Sequence, residues 1–374
     1  MRPLRILADD LTGALDCAAA FGAGVAVHLG RPSDDHHHTV DIVATATRDM
    51  PVAELPALLK PSLDWLRSAG VAFKKIDSLL RGNTFDEIDW LARHAGFRGV
   101  ALVPAFPAQR RITQHGRQWW QQPDDSVSPV AGSIVQSLQA RGWRVCTDRH
   151  APSPQDEAIA WVPDVLSDQD LDKVAVHALQ TSDWLWCGSA GLAHALARAL
   201  AHHRPARAHA ATHAAAGGHL LMVSASHHAV TRQQWQVLCS SSLAAGCLRS
   251  GDLHWPTIGT DGEPVLIDLS SSDQLSAAQA AALLHEQTLT IARLAIRPRV
   301  LVVVGGDTLL ALCRALGANS LISETAMDRP GWGCARLAGG IWDGLVCHTR
   351  SGAFGSENDF LEVISELQKN FRSS

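Results

Sequence analysis

The chain has 374 residues, 46% of them hydrophobic and 18% charged. That is the composition of a packed globular protein, and it excludes a disordered one. The length exceeds one core of ordinary size, so two domains are expected. A formal charge of -5 and a pI near 6.4 leave no basic footprint for nucleic acid. No apolar run approaches the ~20 residues of a membrane helix. The opening Met1 to Arg5 leads directly to Asp9 and Asp10, where a signal peptide would carry apolar residues, so a cytoplasmic protein is expected. Eight cysteines contain no Cys-x-x-Cys and read as reduced core thiols. The run Asp34-Asp-His-His-His38 reads as a solvated loop.

In chain order, strands are expected at Leu4–Ala8, Val25–Leu29, Asp41–Ala46, Val71–Lys75 and Gly99–Pro104. Helices are expected between them at Leu11–Phe21, Val52–Ser68 and Phe85–Ala95. From Gln114 to about Pro163 periodicity is weak, with a helix at Val130–Ala140 and a strand at Arg144–Thr147. Ser167-Asp-Gln-Asp170 is a capping-box pattern, opening a helix whose inner face is Leu171, Val174, Ala175 and Ala178. A strand from Asp183 then runs into the small-residue turn Gly188-Ser-Ala-Gly191, before a helix at Ala193–Ala201.

Residues 206–218 lack core-forming side chains and read as a linker between domains at 1–205 and 219–374. Beyond it, strands are expected at Leu220–Ser224, Leu248–Ser250, Val265–Leu269, Val300–Val304 and Leu345–His348. Helices follow at Val230–Ser240, Ser276–Ala295, Leu309–Leu316 and Asp359–Phe371. Such alternation predicts an α/β protein of two doubly wound domains with largely parallel sheets.

Five clusters of chemically able residues fall where strands give way to turns. Asp9 and Asp10 follow the first strand, with Thr12 and Gly13 opening a helix. Adjacent carboxylates repel and cost solvation, which points to a task, although aspartate is also a favoured helix cap. Lys74 to Asn83 gathers Lys74, Lys75, Asp77, Ser78, Arg81 and Asn83, a mixture suited to a small hydroxylated anion. Val103-Pro-Ala-Phe-Pro-Ala-Gln-Arg-Arg-Ile-Thr113 delivers Arg110 and Arg111 past two prolines. Gly305-Gly-Asp-Thr308 lets the backbone approach a phosphate at a helix N-terminus, with Asp307 suited to a magnesium-bound water or a ribose hydroxyl. Structural glycines at a strand–helix turn would read the same way. Ser224-Ala-Ser226 and the turn at Gly352 are small-residue turns, each with a cation nearby, Arg232 and Arg350. Neither a P-loop nor Gly-x-Gly-x-x-Gly after a strand is present.

In this order the clusters resemble the four-carbon acid sugar kinase family. The matching stretches are Ala8–Ala14, Lys75–Asn83 with Leu79 for the usual Thr, Pro104–Pro107, Gly188–Leu192, Val223–Ser226, Gly305–Thr308 and Ser351–Gly355. The chain departs from the family's pattern at Ala108–Ile112, where Arg111 still matches, at Arg350 in place of Lys, at Ala225, and around Gly331-Trp-Gly-Cys334. The resemblance implies an N-terminal domain binding the acid sugar, a C-terminal domain binding ATP with magnesium, and an active site in the cleft between them. It implies Asp10 or Asp77 as the base, with Asp9, Thr12, Gly13, Lys75, Ser78 and Asn83 around the substrate and Arg81 and Arg111 on its carboxylate. Ser224, Ser226, Gly305, Gly306, Asp307, Thr308 and Gly352 would line the ATP site. The alternatives are a binding protein that kept the site without the chemistry, and a kinase for a different small hydroxy acid.

Overall fold

The first half of the chain yields short strands that are apolar on both faces, as a sheet covered by helices on both sides demands. The computed structural model describes residues 3–32, 38–122, 124, 126–130, 132–148, 151–152, 158–201, 218–243, 247–249, 263–271, 275–294, 296–327, 329, 331–352 and 355–372. The expected linker, apart from Gly218, and the Asp34–His37 run lie outside them. Two units are distinguished, Met1–Ala208 and His209–Ser374.

The first unit comprises β1 (Leu4–Ala8), α1 (Leu11–Ala20), β2 (Ala26–His28), β3 (Val40–Ala44), α2 (Leu55–Leu59), α3 (Leu63–Arg67), β4 (Val71–Lys75), α4 (Thr84–His94) and β5 (Gly99–Val103). It continues with β6 (Arg111–Gln114), β7 (Arg117–Gln121), β8 (Val127–Pro129), α5 (Ile134–Gln139), β9 (Arg144–Cys146), β10 (Ile159–Trp161), α6 (Asp168–Gln180), β11 (Trp184–Gly188) and α7 (Ala190–Ala201). Its main sheet runs β2-β3-β1-β4-β11-β5-β10-β9, every neighbouring pair parallel. Leu7, Ile76, Leu102, Leu138 and Leu185 are among the core side chains on one face of it. β4 is buried at all five positions, yet two of them are Lys74 and Lys75, an arrangement that requires charge partners.

The second unit comprises β12 (Leu220–Ser224), α8 (Ala229–Cys239), β13 (Cys247–Arg249), β14 (Val265–Asp268), α9 (Ala277–Leu294), β15 (Val300–Val304), α10 (Gly306–Leu316), β16 (Ser320–Ser323), β17 (Trp332–Ala338), β18 (Val346–Arg350) and α11 (Asp359–Arg372). The sheet order is β13-β14-β12-β15-β18-β17-β16. The first five strands are parallel, and β17 is antiparallel to both β18 and β16. Among the described residues no helix is long and apolar enough to cross a membrane.

Both units begin with the same winding. In the first, β2 and β3 lie to one side of β1 and β4 to the other; in the second, β13 and β14 lie to one side of β12 and β15 to the other. Strand order therefore reverses between β1 and β4, and again between β12 and β15. Open α/β sheets bind ligands beyond the carboxyl ends of their strands at such a reversal.

Several expectations are corrected. The helix expected over Val52–Ser68 is broken into α2, α3 and two 3-10 turns at Val52–Glu54 and Lys60–Ser62. Pro56 and Pro61 account for the breaks, since each removes a backbone donor. The weakly periodic stretch after Gln114 contains a separate antiparallel sheet, β6-β7-β8. Its strands are rich in Arg and Gln and bury Thr113 and Gln118, so no apolar alternation marks them. Helix α5 starts at Ile134, where Ser133 caps it, and α7 starts at Ala190. Helix α10 begins at Gly306 rather than Leu309, so Gly306, Asp307 and Thr308 form its first turn.

Candidate active site

Asp9 and Asp10 leave the carboxyl end of β1. Asp10 caps α1, its side chain accepting from Gly13 N at 3.2 Å. Capping and function coexist here, because the same carboxylate also takes Arg48 Nη2 at 2.6 Å. Arg48 grips Asp9 with both arms of its fork, Nε to Oδ2 at 2.8 Å and Nη2 to Oδ1 at 3.1 Å. Both Asp9 oxygens are thus used, and the residue is only 3% exposed. Burial alone would raise the Asp9 carboxyl, but Lys75, Lys74 and Arg48 outweigh it and hold the group below the usual carboxylate range. Asp10 keeps Oδ2 without a hydrogen-bond partner among the described residues, with 22% of its side chain exposed. The Thr12 hydroxyl, half-buried in the first turn of α1, also makes no hydrogen bond among the described residues.

Lys75 ends β4 beside this turn. A Cβ built on Gly13 would collide with Lys75 Nζ and lie 2.5 Å from Asp10 Oδ1, so the glycine gives the ammonium its place against the helix start. Burial disfavours the Lys75 charge, and Asp9 and Asp10 more than restore it. Lys74, on the opposite face of β4, pairs with Glu87 at 2.6 Å in a fully buried contact, where Thr47 Oγ1 also reaches Glu87 at 2.8 Å.

The turn after β4 differs from expectation. Leu80 and Gly82 have positive φ (56° and 73°), which curls Arg81 back over Asp77. The Asp77 carboxylate accepts Arg81 Nε at 2.8 Å and Nη2 at 2.7 Å, together with the backbone N–H of Leu79 and of Arg81. Despite its burial these bonds, with the Arg48 and Arg81 charges, hold it down at about 2. Arg81, expected on a substrate carboxylate, thus spends its fork within the chain. Asn83, expected on ligand hydroxyls, donates instead to Thr47 O at 3.0 Å and Met50 O at 2.6 Å. Gly82 packs on the Arg48 backbone so closely that a Cβ there would clash. Residues 81–83 therefore brace the loop that carries Arg48.

Arg111 opens β6 and points to the same turn. Its Nη1 donates to Ser78 Oγ at 2.5 Å and to Gln109 Oε1 at 2.8 Å, both neutral. Its Nε is buried without a partner, and burial lowers its pKa against the pull of Asp77. Within this cluster Arg48, Lys74 and Arg81 each contact a carboxylate; among the described residues Arg111 contacts none. Gln118 of β7 fixes the geometry, donating to Ser78 O at 3.0 Å and Pro104 O at 3.2 Å while Thr113 Oγ1 donates to it at 2.7 Å.

In the second unit three adjacent parallel strands end together. Ser224 closes β12 fully buried, and its Oγ accepts Ser226 N at 3.3 Å. Gly305 caps α10 at φ 104°, a conformation that favours glycine, and its N–H donates to Arg350 O at 2.8 Å. Thr308 Oγ1 accepts Ala225 N at 3.3 Å, joining the first two turns. Gly352 joins the third: a Cβ there would collide with Ser226 Oγ, and Thr231 Oγ1 donates to Gly352 O at 2.7 Å. The result presents the N-terminus of an eleven-residue helix at the strand-order reversal, which suits an anion. Asp307 is the carboxylate of that first turn and fits a cation carried with phosphates; the described residues contain no group of three or more His, Cys, Asp or Glu side chains placed to hold a metal ion by themselves.

The two cations expected near these turns are committed elsewhere. Arg232 forks onto Asp268 at 2.9 and 2.7 Å. Arg350 is buried, bonded to Asp359 and to Gln234 Oε1, with its guanidinium 5.1 Å from the Trp332 ring and 4.7 Å from that of Phe360. Trp332 Nε1 in turn donates to Asp359 Oδ2 at 3.0 Å. Two departures from the family pattern, Arg350 and the Gly331–Cys334 segment, are therefore one packing unit in the core.

Sequence reasoning missed Arg48, Glu87 and Gln118. Arg48 follows a strand end, as Asp9 and Asp77 do, and the same reasoning applied after Ala44 would have singled it out. Glu87 and Gln118 carry no such signal, being one acid on an amphipathic helix and one amide in a polar strand.

Residues 4–196, just over half the chain, match a family model described as a sugar-binding N-terminal domain. A D-threonate kinase of Cupriavidus necator is 29% identical, the match covering 94% of this chain and 95% of that protein. Among solved structures, a Salmonella typhimurium LT2 protein matches with a TM-score of 0.70 at 19% identity, covering 97% of this chain and 98% of that one. A Haemophilus influenzae protein of the DUF1537 family matches with a TM-score of 0.65 at 16% identity, covering 97% and 100%. These two share the fold.

Proposed function

The chain belongs to the four-carbon acid sugar kinase family, and on that premise we propose that it is an ATP-dependent kinase phosphorylating a terminal hydroxyl of a small, four-carbon sugar acid. The observation that carries the reading is Arg111, a half-buried guanidinium bonded among the described residues only to neutral oxygens, whereas Arg48, Lys74 and Arg81 nearby already contact carboxylates. It awaits an anion, and the carboxylate of a sugar acid matches its fork.

Asp10 is the base in this reading. Its Oδ2 is open among the described residues, while Gly13 N and Arg48 Nη2 fix the other oxygen and so orient the carboxylate. Asp77 is the weaker candidate, because Arg81 and two backbone N–H groups occupy it and keep it a poor proton acceptor. Thr12 and Ser78 hold substrate hydroxyls, and Asp9 fixes Arg48. In the second unit the α10 N-terminus receives the phosphates, with Ser224, Ser226, Gly305, Gly306, Thr308 and Gly352 lining them and Asp307 facing the magnesium ion. Magnesium, carried in with ATP, neutralises charge on the phosphates; phosphoryl transfer otherwise needs mainly positioning.

The test is ADP release by the purified protein with ATP, magnesium and a panel of sugar acids including threonate, erythronate and longer hydroxy acids. Turnover confined to one acid and abolished in Asp10→Asn is expected. A folded protein that releases no ADP above background with any of them overturns the proposal.

A further inference from the structure

The antiparallel sheet β6-β7-β8 has one face toward the candidate sugar-acid site, and one side chain on that face makes no hydrogen bond among the described residues. Arg111 pairs directly with Trp120, and Thr113 with Gln118. Directly paired residues point to the same side of a sheet, with Cβ atoms about 4.5–5.5 Å apart. That side is fixed by contact: Arg111 reaches Ser78 Oγ, and Gln118 reaches Ser78 O and Pro104 O. Trp120 therefore stands on the Ser78 side, next to the guanidinium that lacks a carboxylate.

Trp120 is 40% exposed, and its indole N–H has no hydrogen-bond partner among the described residues. The neighbouring Trp119, on the other side of the strand, is half-buried and donates its own N–H to Gln114 O at 3.2 Å. The strand is also held in place. Arg110 Nη1 donates to Gln122 O at 3.0 Å, and Gln122 Nε2 to Ser128 Oγ at 3.2 Å, so the indole is carried on a braced hairpin rather than a loose loop. A large flat side chain with an open N–H, beside a cation whose hydrogen bonds among the described residues go to neutral oxygens, is the arrangement that covers the carbon skeleton of a small hydroxylated anion.

Building on the sugar-acid kinase reading, we infer that Trp120 is a specificity-determining residue of the acid site: its ring covers the carbons next to the substrate carboxylate held by Arg111, and its N–H donates to that carboxylate or to the adjacent hydroxyl. The ring limits bulk at those carbons, so acids branched there are excluded.

The experiment compares wild type, Trp120→Phe and Trp120→Ala in steady-state kinetics with ATP and the preferred acid, and again with an acid branched at the carbon next to the carboxylate. For Trp120→Ala the KM for the preferred acid rises roughly tenfold, the range expected for loss of apolar contact in a site, while the KM for ATP stays within about twofold. The branched acid gains relative to the preferred one in Trp120→Ala. Trp120→Phe keeps the cover and loses the N–H, so its rise is smaller and discrimination against branching is retained. Should Trp120→Ala fail to fold, Trp120→Phe decides through the KM for the preferred acid. An unchanged KM for acid and unchanged discrimination, in an enzyme that does phosphorylate a sugar acid, overturn the inference and leave the kinase reading intact. A wild-type protein inactive on every acid overturns the kinase reading instead, whatever the variants do.

Discussion

Gly13→Ala separates the chemistry of the site from the stability of the fold. The glycine is in the first turn of α1, where alanine is favoured over glycine by up to about 1 kcal/mol. Against that gain, the new Cβ would lie 2.5 Å from Asp10 Oδ1 and 3.2 Å from Lys75 Cε, and closer still to Lys75 Nζ. Ordinary contact begins near 3.4 Å, so the carboxylate and the ammonium must each give way by about 1 Å. Both are ends of side chains, so they shift while the backbone stays; weakening a buried charge contact costs about as much as the helix gains. The net change in stability is therefore within about 1 kcal/mol. Catalysis is far less tolerant, since a misplacement of ~1 Å costs about a hundredfold, or ~2.7 kcal/mol of transition-state stabilisation. The assay pairs urea denaturation with kcat/KM for the sugar acid. A variant with wild-type denaturation midpoint and at least about a hundredfold lower kcat/KM is expected. Wild-type kcat/KM in a folded variant refutes the placement of Asp10 at the reacting hydroxyl.

Arg48→Met leaves Asp9 buried without its bonded partner, so equilibrium unfolding should show a loss of about 3–5 kcal/mol; a loss under 1 kcal/mol would mean that Lys74 and Lys75 suffice. His348 is held neutral by burial, its pKa lowered from 6.5 to about 4 despite the pull of Glu366. The folded state thus takes up this proton later than the unfolded chain does, so its contribution is complete above pH 6.5 and is lost as pH falls toward about 4. That amounts to about 3 kcal/mol, and in His348→Gln the acid limb of the stability–pH curve over that interval should flatten; an unchanged limb would assign it to other groups. In Gly352→Ala the Cβ presses on Ser226 Oγ, so the KM for ATP should rise about tenfold with the KM for acid unchanged, and the reverse pattern would move the nucleotide out of that turn.

Much of the architecture was readable from the chain. β1, β4, β12 and β15 begin and end at the expected residues, because short apolar runs between turn residues have few alternatives. The strand-end motifs were visible for the same reason: an acid, a lysine or paired glycines directly after such a run has no core position to fill. The sheet β6-β7-β8 was not visible, since its buried side carries Thr113 and Gln118 and its hydrogen bonds, not its hydrophobicity, hold it together. β16 and β17 escaped notice likewise: β16 is only four residues long, and burial along β17 alternates only in part.

The roles of the charges divide along the same line. The sequence by itself determined which residue types stand at the strand ends, Asp9, Asp10, Lys75, Asp77, Ser224 and Gly305 to Thr308, and so which chemistry those ends could support. Tertiary structure alone decided how the charges pair. It gave Arg350 to Asp359 and Arg48 to both leading aspartates, and left Arg111 with neutral partners. The reason is physical: covalent order fixes where a charge enters the chain, whereas its partner is whichever opposite charge the packed fold brings within about 3 Å of it in a medium where Coulomb forces are little screened.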